Sequence, residues 1–169
     1  MVKGITAKRL ENIALFYLER YDTSAFKLKS VLDRRVLRAR ISGIEIDENV
    51  NQWIDDIVKK MVHLGYVDDL RYAQNQWRIL QNKGKSTRYI AQKLKQDGID
   101  DDILENLQQS DDPSCKTDLE TAKRLVEKKK IGHFRPKSEQ ADNFKKDLGT
   151  LARAGFSYEI ACQALKEDD

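Results

Sequence analysis

The sequence predicts an all-α chain organised as tandem three-helix repeats. Three observations carry that expectation. Apolar residues recur at spacings of three and four along most of the chain, and no segment sustains the period-two alternation of a strand. Eight glycines and two prolines in 169 residues are about half the usual share, too few turn-formers for a sandwich or barrel. Finally, blocks of sequence recur at fixed offsets, the signature of repeat architecture.

The helices follow in order. Leu10, Ile13, Ala14, Tyr17 and Leu18 form one apolar stripe, with Thr6 placed before it as an N-cap. Ser24 opens a second helix carrying Leu28, Val31 and Leu32. A third carries Val50, Trp53, Ile54, Ile57, Val58 and Met61 and stops at Gly65, a natural residue to end a helix. Asp68 and Asp69 start a fourth, where acids suit the positive end of the dipole; its apolar side is Leu70, Ala73, Trp77 and Leu80. Gly84 breaks it. Ser86 caps a fifth helix with Ile90, Ala91 and Leu94, ended by Gly98. Asp100, Asp101 and Asp102 begin a sixth with Ile103, Leu104 and Leu107; helix capping accounts for this acidic triplet without a metal. Residues 109–114 are turn chemistry and mark a module boundary. A seventh helix carries Leu119, Ala122, Leu125 and Val126 and runs out near Gly132. Beyond Pro136 come an eighth, with Phe144, Leu148, Leu151 and Ala152, ending at Gly155, and a ninth with Ile160, Ala161, Ala164 and Leu165.

The repeat is read by superposing these helices. With Ser24 on Ser86, Leu28 falls on Ile90 and Leu32 on Leu94. With Gly98 on Gly155, Leu94 falls on Leu151, Ile99 on Phe156 and Ile103 on Ile160. Three units result: residues 1–66, residues 67–110, and residues 111–169, the last comprising a linker and the third repeat. Units this small bury little surface alone, so stacking on neighbours should supply much of their stability. In the first unit Val36 stands where the second has Gly98. The second helix should therefore run on to about Arg40, leaving residues 41–49 as an inserted connection.

Composition narrows the function. Hydrophobic residues are 40% of the chain, enough for a core, and no stretch approaches the ~18–20 apolar residues of a membrane span. Residues 1–10 lack the apolar run of a secretory signal. Cys115 and Cys162 are too few for a disulfide framework and read as reduced thiols. His63 and His133 match no metal-ligand spacing with them. No nucleophile–base pair, phosphate-binding glycine loop or metal-ligand set is present, so neither catalysis nor a cofactor is expected.

Net charge is only +3, but its distribution is uneven. Residues 23–40 hold six basic residues, Lys27, Lys29, Arg34, Arg35, Arg38 and Arg40, against the single acid Asp33. Residues 83–95 hold five, Lys83, Lys85, Arg88, Lys93 and Lys95, and no acid. Both clusters fall on or just before the second helix of their repeat. Repeats stacked in register would add them into one stripe, an electrostatic footprint for a polyanion. The run Lys128, Lys129, Lys130 falls at a helix C-terminus, where the dipole itself favours cations, and is assigned no ligand. Trp53 and Trp77 lie on apolar stripes and are expected in the core. Tyr66 is expected to pack at the repeat junction, and Tyr72 and Tyr89 to be exposed, Tyr89 within the basic cluster.

Several of these residues also carry a family resemblance. Tyr17-Leu18-x-x-Arg20, followed by Ser24, Leu28 and Leu32, resembles the start of the RecX regulatory protein family. Gly65-Tyr66-Val67-Asp68-Asp69-x-Arg71-Tyr72-Ala73 is similar to its best marker. The block from Lys83-Gly84-x-Ser86 through Ile90 and Leu94 to Gly98-Ile99, and Gly155-Phe156-Ser157-Tyr158-Glu159-Ile160, resemble its later signatures. The match runs in order over about residues 13–165, departing at Val36, at the 41–49 insertion and at the lysine run. The resemblance implies an elongated, curved array of three-helix repeats. It further implies a cytoplasmic regulator, likewise read as a monomer, that binds the RecA filament on single-stranded DNA. Such a regulator restrains filament growth, ATP hydrolysis, strand exchange and LexA co-protease activity in recombination and the SOS response. The residues assigned to RecA-filament or DNA binding are Lys27, Arg34, Arg38, Lys83, Lys85, Arg88 and Lys93. The competing reading is a sequence-specific helix-turn-helix DNA-binding protein, usually dimeric, whose short helices with basic second members look superficially alike.

Overall fold

The computed structural model describes residues 4–109 and 116–166. Among these residues the secondary structure is entirely helical: α1 (Ala7–Leu18), α2 (Ala25–Ile41), α3 (Val50–His63), α4 (Asp69–Asn82), α5 (Thr87–Gln96), α6 (Asp101–Gln109), α7 (Asp118–Lys129), a 3-10 turn (Gly132–Phe134), α8 (Lys137–Arg153) and α9 (Tyr158–Leu165). The boundary expected within residues 109–114 and the thiol of Cys115 lie outside the described residues. Cys162 is a half-buried free thiol.

Local chemistry sets the helix ends. The hydroxyls of Thr6, Ser24 and Ser86 accept the backbone N–H three residues on, that of Arg9, Lys27 and Tyr89, each at 3.2 Å. The Asp68 carboxylate does the same for the Arg71 N–H at 2.9 Å. Thr117 and Glu120 form a reciprocal capping box at the start of α7. As the sequence predicts, α2 runs through Val36, which is only 6% exposed, to Ile41. The inserted connection that follows is anchored by Ile44 and Ile46, both packed against the first core, and turned by Asp47, whose carboxylate accepts the Asn49 N–H at 2.8 Å.

The described chain divides into two compact units, one running to Tyr72 and including Asp97–Ile99, the other Ala73–Gln96 with the chain from Asp100 onward. In the first, α1, α2 and α3 pack mutually around Leu10, Leu28, Leu32, Ile54 and Met61, all essentially inaccessible. In the second, α7 packs on α9 and α8 on α9 around Ala122, Val126, Leu151, Phe156 and Ala164. Trp77, Ile90, Leu94 and Leu104 are buried there too. Trp53 is half-buried against the first core. The aligned apolar positions Leu28/Ile90, Leu32/Leu94, Leu94/Leu151 and Ile99/Phe156 are all buried.

The two units share a device at equivalent positions. In the first, the Ala25 N–H donates to the Asp69 carboxylate at 2.8 Å, and the Ser24 hydroxyl donates to the Asp97 carbonyl. In the second, the Thr87 N–H and hydroxyl donate to the Asp118 carboxylate at 2.7 and 2.8 Å, and the Ser86 N–H donates to the Ala154 carbonyl at 3.0 Å. The glycine after each carbonyl, Gly98 or Gly155, lets the chain approach that helix start. A Cβ on Gly98 would strike Phe26, and one on Gly155 would strike Ser86 and lie 2.7 Å from the Tyr89 Cβ. An N–H that a helix start leaves unpaired is thus bonded by an acid on the next element.

Two tyrosine expectations are corrected. Tyr72 is not exposed but 1% accessible, because its hydroxyl finds a buried partner, donating to the Asp97 carboxylate at 2.9 Å. Tyr66 is 55% exposed rather than packed at a junction. After the Gly65 turn the inward place goes to Val67, at 2% exposure, and the N–H groups of both residues bond the Met61 carbonyl.

Candidate polyanion-binding surfaces

In the first unit the extended α2 carries arginines along its exposed side. Arg34, Arg35 and Arg38 line a groove of about 260 Å³ with Ile13 and Tyr17 of α1 and Val31 of α2. Arg34 is steadied by its Nε–H, which donates to the Ser30 carbonyl at 3.1 Å. Arg35 and Arg38 also border a neighbouring depression of about 150 Å³ with Arg9 and Ser42. Cations at this end of α2 suit the negative pole of the helix. Arg34 and Arg38 therefore come together as the sequence predicts, joined by Arg35, which that prediction left out.

Lys27 belongs to a different setting. Its ammonium donates to the Tyr72 hydroxyl at 2.8 Å and lies 3.4 Å from the Asp97 carboxylate. Burial, and then the hydrogen bond to Asp97, push the Tyr72 phenol well above its ordinary range, so it stays a neutral donor between a cation and a carboxylate. Lys27 is thus part of an internal network rather than of the arginine groove.

In the second unit Lys83 and Lys85 flank Gly84 in the connection between α4 and α5. That connection lies close on α7: a Cβ at Gly84 would come within 2.9 Å of Leu125 Cδ1. The Lys85 ammonium stands 4.3 Å from the centre of the Tyr89 ring, a cation–π contact, and Tyr89 is half-buried rather than exposed. Lys83 and Lys85 line a depression of about 250 Å³ whose other cations are Lys129 and Arg153, with Thr150 between. Arg88 and Lys93 are exposed on α5 and lie outside this lining.

Sequence reasoning missed Lys129 and Arg153. Their local signals were a helix C-terminus and a solitary arginine. What joins them to Lys83 and Lys85 is the tertiary approach of the Gly84 turn to Leu125. Among the described residues no carboxylate lines the arginine groove or the lysine depression. Both surfaces present fixed cations to solvent, the arrangement suited to a polyanion rather than to bond-breaking chemistry. Among the described residues no helix is long and apolar enough to cross a membrane.

Residues 68–106 match a family model described as "RecX, second three-helix domain". The chain is 39% identical over 162 residues to the regulatory protein RecX of Myxococcus xanthus, covering 94% of this chain and 85% of that protein. It is 28% identical over 143 residues to the regulatory protein RecX of Corynebacterium efficiens, covering 79% of this chain and 65% of that one. The crystal structure of RecX from Lactobacillus salivarius superposes with a TM-score of 0.62 at 25% identity, covering 94% of each chain.

Proposed function

The chain belongs to the RecX family, and from that premise we propose that it is a cytoplasmic regulator without chemistry of its own. It binds the RecA filament on single-stranded DNA and restrains the filament's growth, ATP hydrolysis, strand exchange and co-protease activity, acting in recombination and the SOS response. The observation that carries this reading is the 39% identity to a regulatory protein RecX over nearly the full chain. The basic surfaces support it: RecA on DNA is a polyanion-bearing polymer, and carboxylate-free cationic depressions lie in both units.

Within this reading the contacts come from Arg34 and Arg38 in the first unit and Lys83, Lys85, Arg88 and Lys93 in the second, with Lys27 contributing through its internal network. The chain acts as a monomer made of three helical repeats, residues 1–66, 67–110 and 111–169. Phosphate contacts position such a protein without reading sequence, so binding should be indifferent to base order.

The test is co-pelleting with RecA assembled on single-stranded DNA, alongside RecA alone, the strand alone and duplexes of varied sequence. The chain is expected to sediment with the assembled filament. Failure to sediment with the filament, or preference for one duplex sequence, would overturn the proposal.

A further inference from the structure

The lysine-rich end of α7, which the sequence assigns to helix electrostatics, lines a second depression beside the one at Lys85. It is small, about 60 Å³, and its cations are Lys83, Lys116, Arg124 and Lys128. Among the described residues no carboxylate lines it, and none of these four cations has a carboxylate within ion-pair distance. Its wall is fixed: the buried Gln81 side chain donates to the Lys116 carbonyl at 2.7 Å. Thr121 also lines it, at 2% exposure, and its hydroxyl has no hydrogen-bond partner. Buried hydroxyls are bonded as a rule, so an orphan at the wall of a cationic depression calls for an acceptor from outside.

Size limits what that acceptor is. The space is far below the ~300 Å³ at which small-molecule pockets begin, and it admits a few waters or one tetrahedral oxyanion. Forked guanidinium donors, ammonium charges and a hydroxyl are the donor set that phosphate oxygens attract. The depression shares Lys83, Gly84 and Leu125 with the 250 Å³ depression holding Lys85, Lys129 and Arg153. Cations therefore continue past the first oxyanion, as a chain of phosphates requires and a single free phosphate does not.

We propose that the depression at Thr121, Arg124 and Lys128 holds one phosphodiester of a single-stranded nucleic acid, whose adjoining backbone crosses the Lys85 and Lys129 depression. The choice of polyanion rests on the functional reading above. Thr121 donates its hydroxyl to the phosphate, and Lys83 serves both depressions.

The experiment is fluorescence anisotropy of a fluorescein-labelled oligothymidylate against the full chain over a salt series. Thr121→Val should weaken binding roughly tenfold, the loss of a hydrogen bond to a charged group, while leaving the melting temperature unchanged or higher, since it removes an unbonded buried hydroxyl. Arg124→Gln with Lys128→Gln should flatten the log–log salt slope by about 1.4, about 0.7 for each phosphate contact on a single strand. Lys137→Gln with Lys145→Gln, exposed on α8 and outside both depressions, should leave the slope unchanged. Polyglutamate and inorganic phosphate are expected to compete poorly. The proposal is overturned if Thr121→Val binds as the parent does, if polyglutamate displaces the oligonucleotide as well as unlabelled strand does, if inorganic phosphate does so at equal phosphate concentration, or if the parent binds no oligonucleotide. RecA ATP hydrolysis measured with the same proteins separates the two readings. A parent that binds the strand through Thr121 yet leaves RecA unaffected sinks the function and spares the site. A parent that restrains RecA while the variants bind strand normally does the reverse.

Discussion

Replacing Gly98 by alanine should cost the first unit far more than the same change at Gly65, although both glycines have positive φ, 81° and 73°. The backbone cost is common to both, about 1–2 kcal/mol for an L-residue held in the left-handed region. At Gly65 a Cβ meets nothing within 4 Å. At Gly98 it would strike the Phe26 Cβ and sit 2.5 Å from Cγ and 3.0 Å from Cδ1. The Phe26 Cβ is fixed by the backbone of α2, so no side-chain rotation clears it. Either the first turn of α2 or the 97–99 segment must move. That turn is where Ser24 bonds the Asp97 carbonyl and Ala25 bonds Asp69. Overpacking adds about 1–3 kcal/mol and a weakened hydrogen bond about 1. The expected totals are therefore roughly 3–5 kcal/mol for Gly98→Ala against roughly 1–2 for Gly65→Ala. Urea unfolding followed by circular dichroism, with midpoints compared at constant slope, measures both. A double-mutant cycle identifies the atom responsible. Phe26→Gly removes the obstructing Cβ and should abolish the excess cost of Gly98→Ala; Phe26→Ala retains it and should not. Equal costs at the two glycines, or full rescue by Phe26→Ala, would refute the close-approach reasoning.

Other outcomes follow from the same contacts. Asp118→Ala removes the acceptor for both Thr87 donors and should lower stability by about 2 kcal/mol, whereas Asp68→Ala removes one helix cap and should cost about 1 kcal/mol, both read from urea midpoints. Asp147 is 1% exposed and takes the Arg135 guanidinium at 2.8 and 2.9 Å and the Gly132 N–H at 3.0 Å. The Arg135 hydrogen bonds, against an opposing effect of burial, hold its carboxyl below the ordinary carboxylate range. A lowered folded pKa gives stability that is present above the unfolded value of ~3.9 and lost as pH falls through the folded one. The stability gap between the parent and Asp147→Asn should therefore be constant near neutrality and shrink below about pH 4; a gap independent of acidity would contradict the ion pair. Lys85→Glu with Arg88→Glu should weaken filament binding at least tenfold and steepen its loss with salt no further, measured by co-pelleting. Lys137 and Lys145 make the proper control, because Lys128 and Lys129 line the depressions near Lys83.

The parts of the fold legible in sequence are those decided within a few residues. Thr6, Ser24 and Ser86 cap where their spacing to the apolar stripe places them, and the lack of a glycine at Val36 lengthens α2 as expected. The superposition of Gly98 on Gly155 holds because both sit where a helix start is approached closely. What escaped is decided by distant partners. Tyr72 lies next to Arg71 on a polar stretch, and nothing local announces that Asp97, twenty-five residues on, bonds its hydroxyl. The same carboxylate draws in Lys27, which spacing alone aligns with Arg34 and Arg38. Lys128 and Lys129 read as helix-end charges until the Gly84 turn is seen against Leu125. The Thr117-x-x-Glu120 capping box is the exception, a local signature that an inspection of apolar stripes passes over.

The central claim is that this chain restrains RecA, and its most direct measurement is ATP hydrolysis by RecA from the same source on single-stranded DNA, titrated with the purified chain. Hydrolysis should fall as the chain is added, with strong suppression at or below an equimolar ratio to RecA, and the Lys85→Glu, Arg88→Glu variant should require much more protein for the same effect. An unchanged hydrolysis rate at equimolar chain would contradict the account.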